Sequence, residues 1–309
     1  LIFTHPACAE HNMGRGHPES PARLKAVMEA LDAPEFAGLE RREAPRAARD
    51  ALALVHPAPY LERIDTVFAE AEESGERVRL DADTSVGPGS KEAALRAAGA
   101  AVAAVDAVLG GEAPHAFCAV RPPGHHAEPN RSMGFCIYSN AAIAGKYALD
   151  HHKLHRVAIV DFDVHHGNGT EAFCEAEEGL YYASTHQWPL YPGTGRPGVS
   201  GIAENVLNAA MPPGTGSREF REIMERRILP KVEKFQPELL IISAGFDAHR
   251  DDPLAECNLQ DEDYGWATEQ LVGVAERCCE GRVVSLLEGG YDLGALSRCT
   301  AQHVRALTA

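Results

Sequence analysis

Residues 160 to 169 read Val-Asp-Phe-Asp-Val-His-His-Gly-Asn-Gly, which sets Asp161, Asp163 and His165 at every second position. In an extended strand, side chains at i, i+2 and i+4 share one face. Val160, Phe162 and Val164 then face apolar packing. Two acids buried side by side repel, at a cost of several kcal/mol, unless a cation sits between them. The segment predicts the wall of a metal site where a buried strand ends. Asp247, in Ala-Gly-Phe-Asp-Ala-His after the apolar run Leu239–Ser243, is the natural third ligand beside Asp163 and His165. Three protein ligands with open positions mark a catalytic rather than a structural site. Two carboxylates and one imidazole suit zinc, iron(II), manganese or cobalt. Asp161 is one ligand more than that ion needs. It can hold a second cation with nearby carbonyls, or hold a histidine. Ser184 and Thr185 stand where they could give oxygens to a monovalent ion.

His125 and His126 follow Pro122-Pro123-Gly124, a rigid turn that fixes where the pair points. Beside a metal-bound water, adjacent histidines suit a general base and its electrostatic partner. Each needs an acceptor to fix its tautomer, and Asp161 and Asn168 are available. Tyr291 follows Glu288-Gly289-Gly290, and a phenol on such a loop can donate to a developing oxyanion. His151 and His155 also have metal-ligand spacing. Their neighbours His152, Lys153 and Arg156 read instead as a basic cluster at a helix C-terminus.

These groups need a frame. Short apolar runs at Ala116–Arg121, Val157–Phe162, Leu180–Ser184, Glu238–Ala244 and Val283–Glu288 predict strands buried on both faces. Helical patterns over Ser90–Leu109, with Ser90 as cap, Tyr138–Leu149, Ser217–Phe235 and Gln260–Glu280 alternate with them. The alternation predicts an α/β fold, a parallel sheet with helices on both faces, in one domain over residues 1–309. A polar motif follows or ends each predicted strand. Open α/β sheets place their ligand sites at the carboxyl ends of strands.

The net charge of −16 argues against a nucleic-acid partner, which needs a basic footprint. No apolar run approaches the ~20 residues that cross a bilayer. The eight cysteines include no Cys-x-x-Cys pair, so a reducing cytoplasm is the expected compartment.

Together the motifs resemble the zinc-dependent histone deacetylase family, including bacterial deacetylase-like amidohydrolases and acetylpolyamine amidohydrolases. The carrying segments are His17-Pro18-Glu19-x-Pro21-x-x-Leu24, Arg121–Ala127, Gly134-Phe135-Cys136, Val160–Thr170, Tyr191–Gly195, Ser243–His249 and Leu287–Tyr291. Asn168, and Leu287-Glu288 before the Gly-Gly-Tyr, make the chain similar to the class II branch. The resemblance implies the arginase/deacetylase fold on a parallel eight-stranded sheet. It implies a catalytic zinc on Asp163, His165 and Asp247. It implies a potassium ion on Asp161, backbone oxygens of Asp163 and His165, Ser184 and Thr185. His126 would be the base and then the acid, with His125, held by Asp161, as electrostatic partner. Tyr291 would bind the substrate carbonyl and the Gly134 carbonyl its N–H. Phe135 and Tyr191 would line a narrow channel, with Leu254 at its rim and Arg121 near its floor. The implied substrate is an acetylated amine, acetyl-lysine or an acetylpolyamine. Leu254 stands where a polyamine-selective relative places a glutamate, which leans towards acetyl-lysine or a general amide. Two other functions compete. Asp247-Ala-His249-x-Asp251 superficially resembles a binuclear manganese ureohydrolase motif, and some relatives that have lost the tyrosine are poor catalysts, which would leave a non-catalytic acetyl-lysine or polyamine binding module.

Overall fold

Where the apolar runs are continuous, the chain forms the middle of one sheet. The computed structural model describes residues 1–309. Its strands are β1 Ile2–Thr4, β2 Arg41–Glu43, β3 Val78–Arg79, β4 Ser85–Val86, β5 His115–Cys118 and β6 Val157–Asp161. They continue as β7 Leu180–Gln187, β8 Gly198–Ser200, β9 Val206–Met211, β10 Leu239–Ala244 and β11 Val283–Leu287. β3 and β4 form a separate two-stranded hairpin. The others form one sheet in the order β2-β1-β5-β11-β10-β6-β7-β9-β8.

The first eight strands in that order run parallel, and only β8 pairs antiparallel. The implied eight-stranded parallel sheet is therefore present, but the sheet has nine strands. The reason is local. Only residues 201–205 separate β8 from β9. A connection that short returns the chain antiparallel, because a parallel partner needs a crossover of roughly a dozen residues or more.

Every residue of β6, β7, β10 and β11 is buried, so helices cover both faces of the central sheet. Helix Leu293–Leu307 packs on both Pro21–Leu31 and Asp261–Cys279, and Ser90–Leu109 packs on Asn140–Asp150. A large apolar core runs between sheet and helices, with a smaller separate cluster around helix Ala58–Ser74.

Helix Ser90–Leu109 has its expected bounds, but Ser90 does not cap it. Gly89 occupies the cap position at φ +82°, and Ser90 turns inward to His11 Nδ1 at 2.8 Å. Ser217–Phe235 is continuous but widens into a π turn over Met224–Ile228. Pro230 follows that turn and has no N–H to give the ladder, so a wider turn accommodates its ring. Gln260 caps Asp261–Cys279 in a reciprocal box with Asp263.

Candidate active site

Strand register brings the polar motifs to one edge. Asp161 on β6 pairs with Ser243 on β10 and with Ser184 on β7. Past that row β6 leaves the ladder and peels into a loop, while β7 stays paired with β9 as far as Gln187. β5 stops at Cys118 and β11 at Leu287, so Arg121 and Glu288 stand on the turns beyond.

Asp163, His165 and Asp247 come together there, all buried, with one potential ligand atom from each lying within 4.8 Å of the others. His165 Nδ1 is 3.2 Å from Asp163 Oδ1 and 3.0 Å from Asp247 Oδ2. Burial and the nearby Asp163 raise the Asp247 carboxyl above its ordinary pKa. Burial pushes Asp163 the same way, but the charges of His125 and His165 outweigh it and hold Asp163 low. Two buried carboxylates and one imidazole, converging with so little space between them, fit a divalent cation. A Cβ on Gly289 would run into both carboxylates, so the glycine of the Gly-Gly-Tyr loop keeps that space open.

The His125 and His126 rings lie side by side with centroids 4.0 Å apart and planes tilted by 46°. His125 Nδ1 bonds Asp161 Oδ2 at 3.1 Å, and His126 Nδ1 bonds Asn168 Oδ1 at 2.8 Å. Burial alone would lower the His125 pKa, but Asp163 and Asp161 outweigh it and raise it well above the ordinary value. Burial lowers His126 well below the ordinary value, and the charges of His125 and His165 add to the effect. Neighbouring imidazoles with opposite shifts suit a charged partner beside a neutral base. Gly134 sits at φ +57° with its Cα against the His126 ring, where any Cβ would collide with the imidazole.

Tyr291 stands on the loop that follows β11. Its ring meets Phe135 edge-on at 5.8 Å and lies 4.9 Å under the Arg23 guanidinium. Burial raises the phenol's pKa, against the opposing charge of Arg23, so the hydroxyl keeps its proton. Tyr191 approaches the His126 ring edge-on at 5.2 Å and is 38 % exposed. Leu254 is half-buried, and its N–H donates to Asp252 Oδ1 at 3.0 Å. The other oxygen of Asp252 accepts the Tyr291 N–H at 2.7 Å.

Asp161 is shared. Oδ1 accepts the Asp163 N–H, and Oδ2 takes both His125 and the Tyr182 hydroxyl. The buried backbone carbonyls of Asp163 and His165 receive no hydrogen bond from the protein, and the buried Thr185 hydroxyl has no partner. Ser184 Oγ bonds His186 Nδ1 at 2.8 Å.

Arg121 is fully buried beyond the end of β5. Its guanidinium grips Glu19 through Nε and Nη2 and donates to the Cys8 and His11 carbonyls. With four of its five N–H groups accounted for, it reaches the Tyr291 loop through intermediaries. Glu19 also accepts Arg23 Nη1 at 3.1 Å, and Arg23 donates to the Gly290 carbonyl at 2.6 Å and to the Glu288 carbonyl. Sequence reasoning gave no role to Arg23, Asp252 or the Glu288 side chain. The i, i+4 spacing of Glu19 and Arg23 was the only local signal.

The decoys separate as expected. His151 ends helix Asn140–Asp150 and stacks on Tyr147. His249, part of the manganese-like motif, is not one of the triad, and its Nε2 lies 2.9 Å from Asp261 Oδ1. His249, Asp261 and Cys299 also cluster. There the Asp251 N–H occupies His249 Nδ1 and Arg298 holds Asp261, so the group is satisfied without an ion. All eight cysteines are free thiols, and no helix is long and apolar enough to cross a membrane.

This arrangement has known counterparts. A family profile described as the histone deacetylase domain matches residues 17–307. A histone deacetylase-like amidohydrolase of Pseudomonas aeruginosa is 40 % identical over 95 % of this chain and 77 % of its own length. A probable deacetylase of Archaeoglobus fulgidus is 37 % identical over 96 % of this chain and 82 % of its own. The crystal structure of the HDA15 HD domain superposes with a TM-score of 0.92 at 31 % identity, covering 100 % of this chain and 88 % of that one. The site and these likenesses agree: the chain belongs to the histone deacetylase family and is a hydrolase of linear amides.

Proposed function

We propose that the chain is a zinc-dependent deacetylase that removes an acetyl or similar acyl group from an acetylated amine, with acetyl-lysine the favoured substrate. The observation that carries this reading is the meeting of His126, the Asp163–His165–Asp247 triad and the Tyr291 loop at one sheet edge, where the Gly289 N–H donates to Asp163 Oδ2 at 2.8 Å. Asp163, His165 and Asp247 would hold the zinc. When bound, it lowers the pKa of a water towards ~7 and polarises the amide carbonyl.

The protein's own groups do the rest. His126 takes a proton from water as the new C–O bond forms. Tyr291 donates to the oxyanion that develops on the substrate carbonyl. His126 then passes its proton to the nitrogen as the C–N bond breaks, releasing acetate and the amine. His125, kept cationic by Asp161 and Asp163, steadies the negative charge. The Gly134 carbonyl accepts the substrate N–H, and Phe135 and Tyr191 flank the acyl chain. Leu254 lies at the rim and offers no carboxylate to a polyamine's second cation.

A potassium ion on Asp161, the free carbonyls of Asp163 and His165, Ser184 and Thr185 would brace the strand ends behind the triad. Eight unpaired cysteines suit a cytoplasmic setting.

The test is a panel of acetyl-lysine peptides and acetylated putrescine, cadaverine and spermidine, with and without chelator. We expect acetate release from the peptides, lost with chelator and restored by zinc. Binding without release from every substrate would leave a non-catalytic acetyl-lysine module. A preference for acetylpolyamines would overturn the substrate assignment alone.

A further inference from the structure

The base His126 does not end its chain of contacts at Asn168. Asn168 Nδ2 donates to Glu128 Oε1 at 2.8 Å, while its Oδ1 faces His126 Nδ1 at 2.8 Å. A primary amide has an accepting end and a donating end, and nothing in its shape favours either orientation. The Glu128 carboxylate can only accept, so it must face the NH2 end. That leaves the carbonyl oxygen for His126. A carbonyl can only accept, so Nδ1 must carry the proton, and the ring's lone pair falls on Nε2. A base needs that lone pair. With the amide turned over, NH2 would face Nδ1, the proton would move to Nε2, and the neutral ring could take nothing there.

We propose that Glu128 is a positioning residue that sets the tautomer of His126 through the orientation of the Asn168 amide. This rests on the reading of His126 as the base. Glu128 is well placed for the task. It stands two residues beyond His126, and its backbone closes a tight turn with Arg131 through bonds of 2.9 and 3.3 Å. Its side chain is half-buried, so water competes only partly for the Asn168 amide. Met133 Sδ, 3.4 Å from the same Nδ2, is too weak an acceptor to direct the amide alone.

The test compares Glu128→Gln, Glu128→Ala and Glu128→Lys on the zinc-loaded enzyme with an acetyl-lysine peptide, next to His126→Ala. Full activity in His126→Ala would remove the base assignment itself and is read separately. Glu128→Gln keeps an accepting carbonyl and should stay within about 3-fold of the parent. Glu128→Ala should lose about 10-fold in kcat with KM unchanged, the lower end of what outer partners of a histidine are worth. Glu128→Lys presents only donors, turns the amide over, and should lose more than Glu128→Ala. Ring nitrogen-15 spectra, with the His126 signals assigned by their absence in His126→Ala, should show the proton on Nδ1 in the parent and on Nε2 in Glu128→Lys. If Glu128→Gln falls as far as Glu128→Ala, charge rather than accepting polarity matters and the proposal fails. Equal activity in all three variants overturns it too. Should Glu128→Ala fold poorly, the Gln and Lys pair, which keep the stem, still decide.

Discussion

The Glu288 carboxylate accepts the backbone N–H of His125 at 3.1 Å, and the same oxygen accepts the Gly124 N–H at 2.7 Å. The residue that opens the Tyr291 loop thus holds the backbone of the histidine pair. Its other oxygen takes the Ser243 hydroxyl at 3.2 Å, on the strand that leads to Asp247. Glu288→Ala strands two buried N–H groups, at roughly 1–3 kcal/mol each. We expect a lower melting temperature and a fall in kcat. Glu288→Gln, whose carbonyl still accepts, should recover most of both. Calorimetry and steady-state kinetics on the two variants check this.

Tyr291→Phe keeps the ring against Phe135 and the backbone bond to Asp252, and removes only the hydroxyl. The loss of one oxyanion donor should cost about 10²–10³ in kcat with little change in stability. Unchanged turnover would take Tyr291 out of the reaction.

Asn168→Asp places a carboxylate against His126 Nδ1, where the neutral amide now sits at 2.8 Å. Burial holds the His126 pKa low in the parent. An adjacent negative charge favours the imidazolium and raises that pKa. The acid limb of kcat/KM should therefore move to higher pH in the variant. A pH–rate profile with an unmoved limb would refute this.

His303 is buried between Thr268 and Ser285, and burial lowers its pKa from 6.5 to about 3. Above pH 6.5 the ring is neutral in both the folded and the unfolded chain and adds no pH dependence. Below that, the unfolded chain takes up a proton that the folded ring refuses until about pH 3. Stability should fall over that window, by about 2 kcal/mol at pH 5 for this one site. Urea denaturation at pH 7 and pH 5 should show a smaller difference for His303→Gln than for the parent.

One divalent ion per chain should bind the parent, and Asp247→Asn should lower that affinity while leaving the fold intact. Elemental analysis after dialysis against chelator measures both. Two ions per chain would favour a binuclear site instead.

How far the sequence could be read depended on the range of each signal. β6, β10 and β11 are long apolar runs, and each begins within one residue of where periodicity puts it. β1 and β2 have three residues each, too few for any period to show. β9, Val-Leu-Asn-Ala-Ala-Met, mixes weak strand formers and is held by its neighbour β7. The triad, the His pair and Tyr291 were legible because each sits in a short motif with its own chemistry. Arg23, Asp252 and Glu128 were not. Each acts by a hydrogen bond to a segment distant in the chain, and a lone polar residue carries no local mark of its partner.

The ladder from Arg121 through Glu19 and Arg23 to Gly290 has a bearing on when activity first arises. Arg23 meets the Glu288 and Gly290 carbonyls across 265 and 267 residues of chain. Such contacts close nearly the whole polypeptide into a loop, and we expect them to form late in folding. The phenol that must meet the oxyanion is therefore set only when the first helix and the last strand have found each other. A half-folded chain can own its metal ligands and still be inert. Catalysis here doubles as a report that the two ends of the molecule have met.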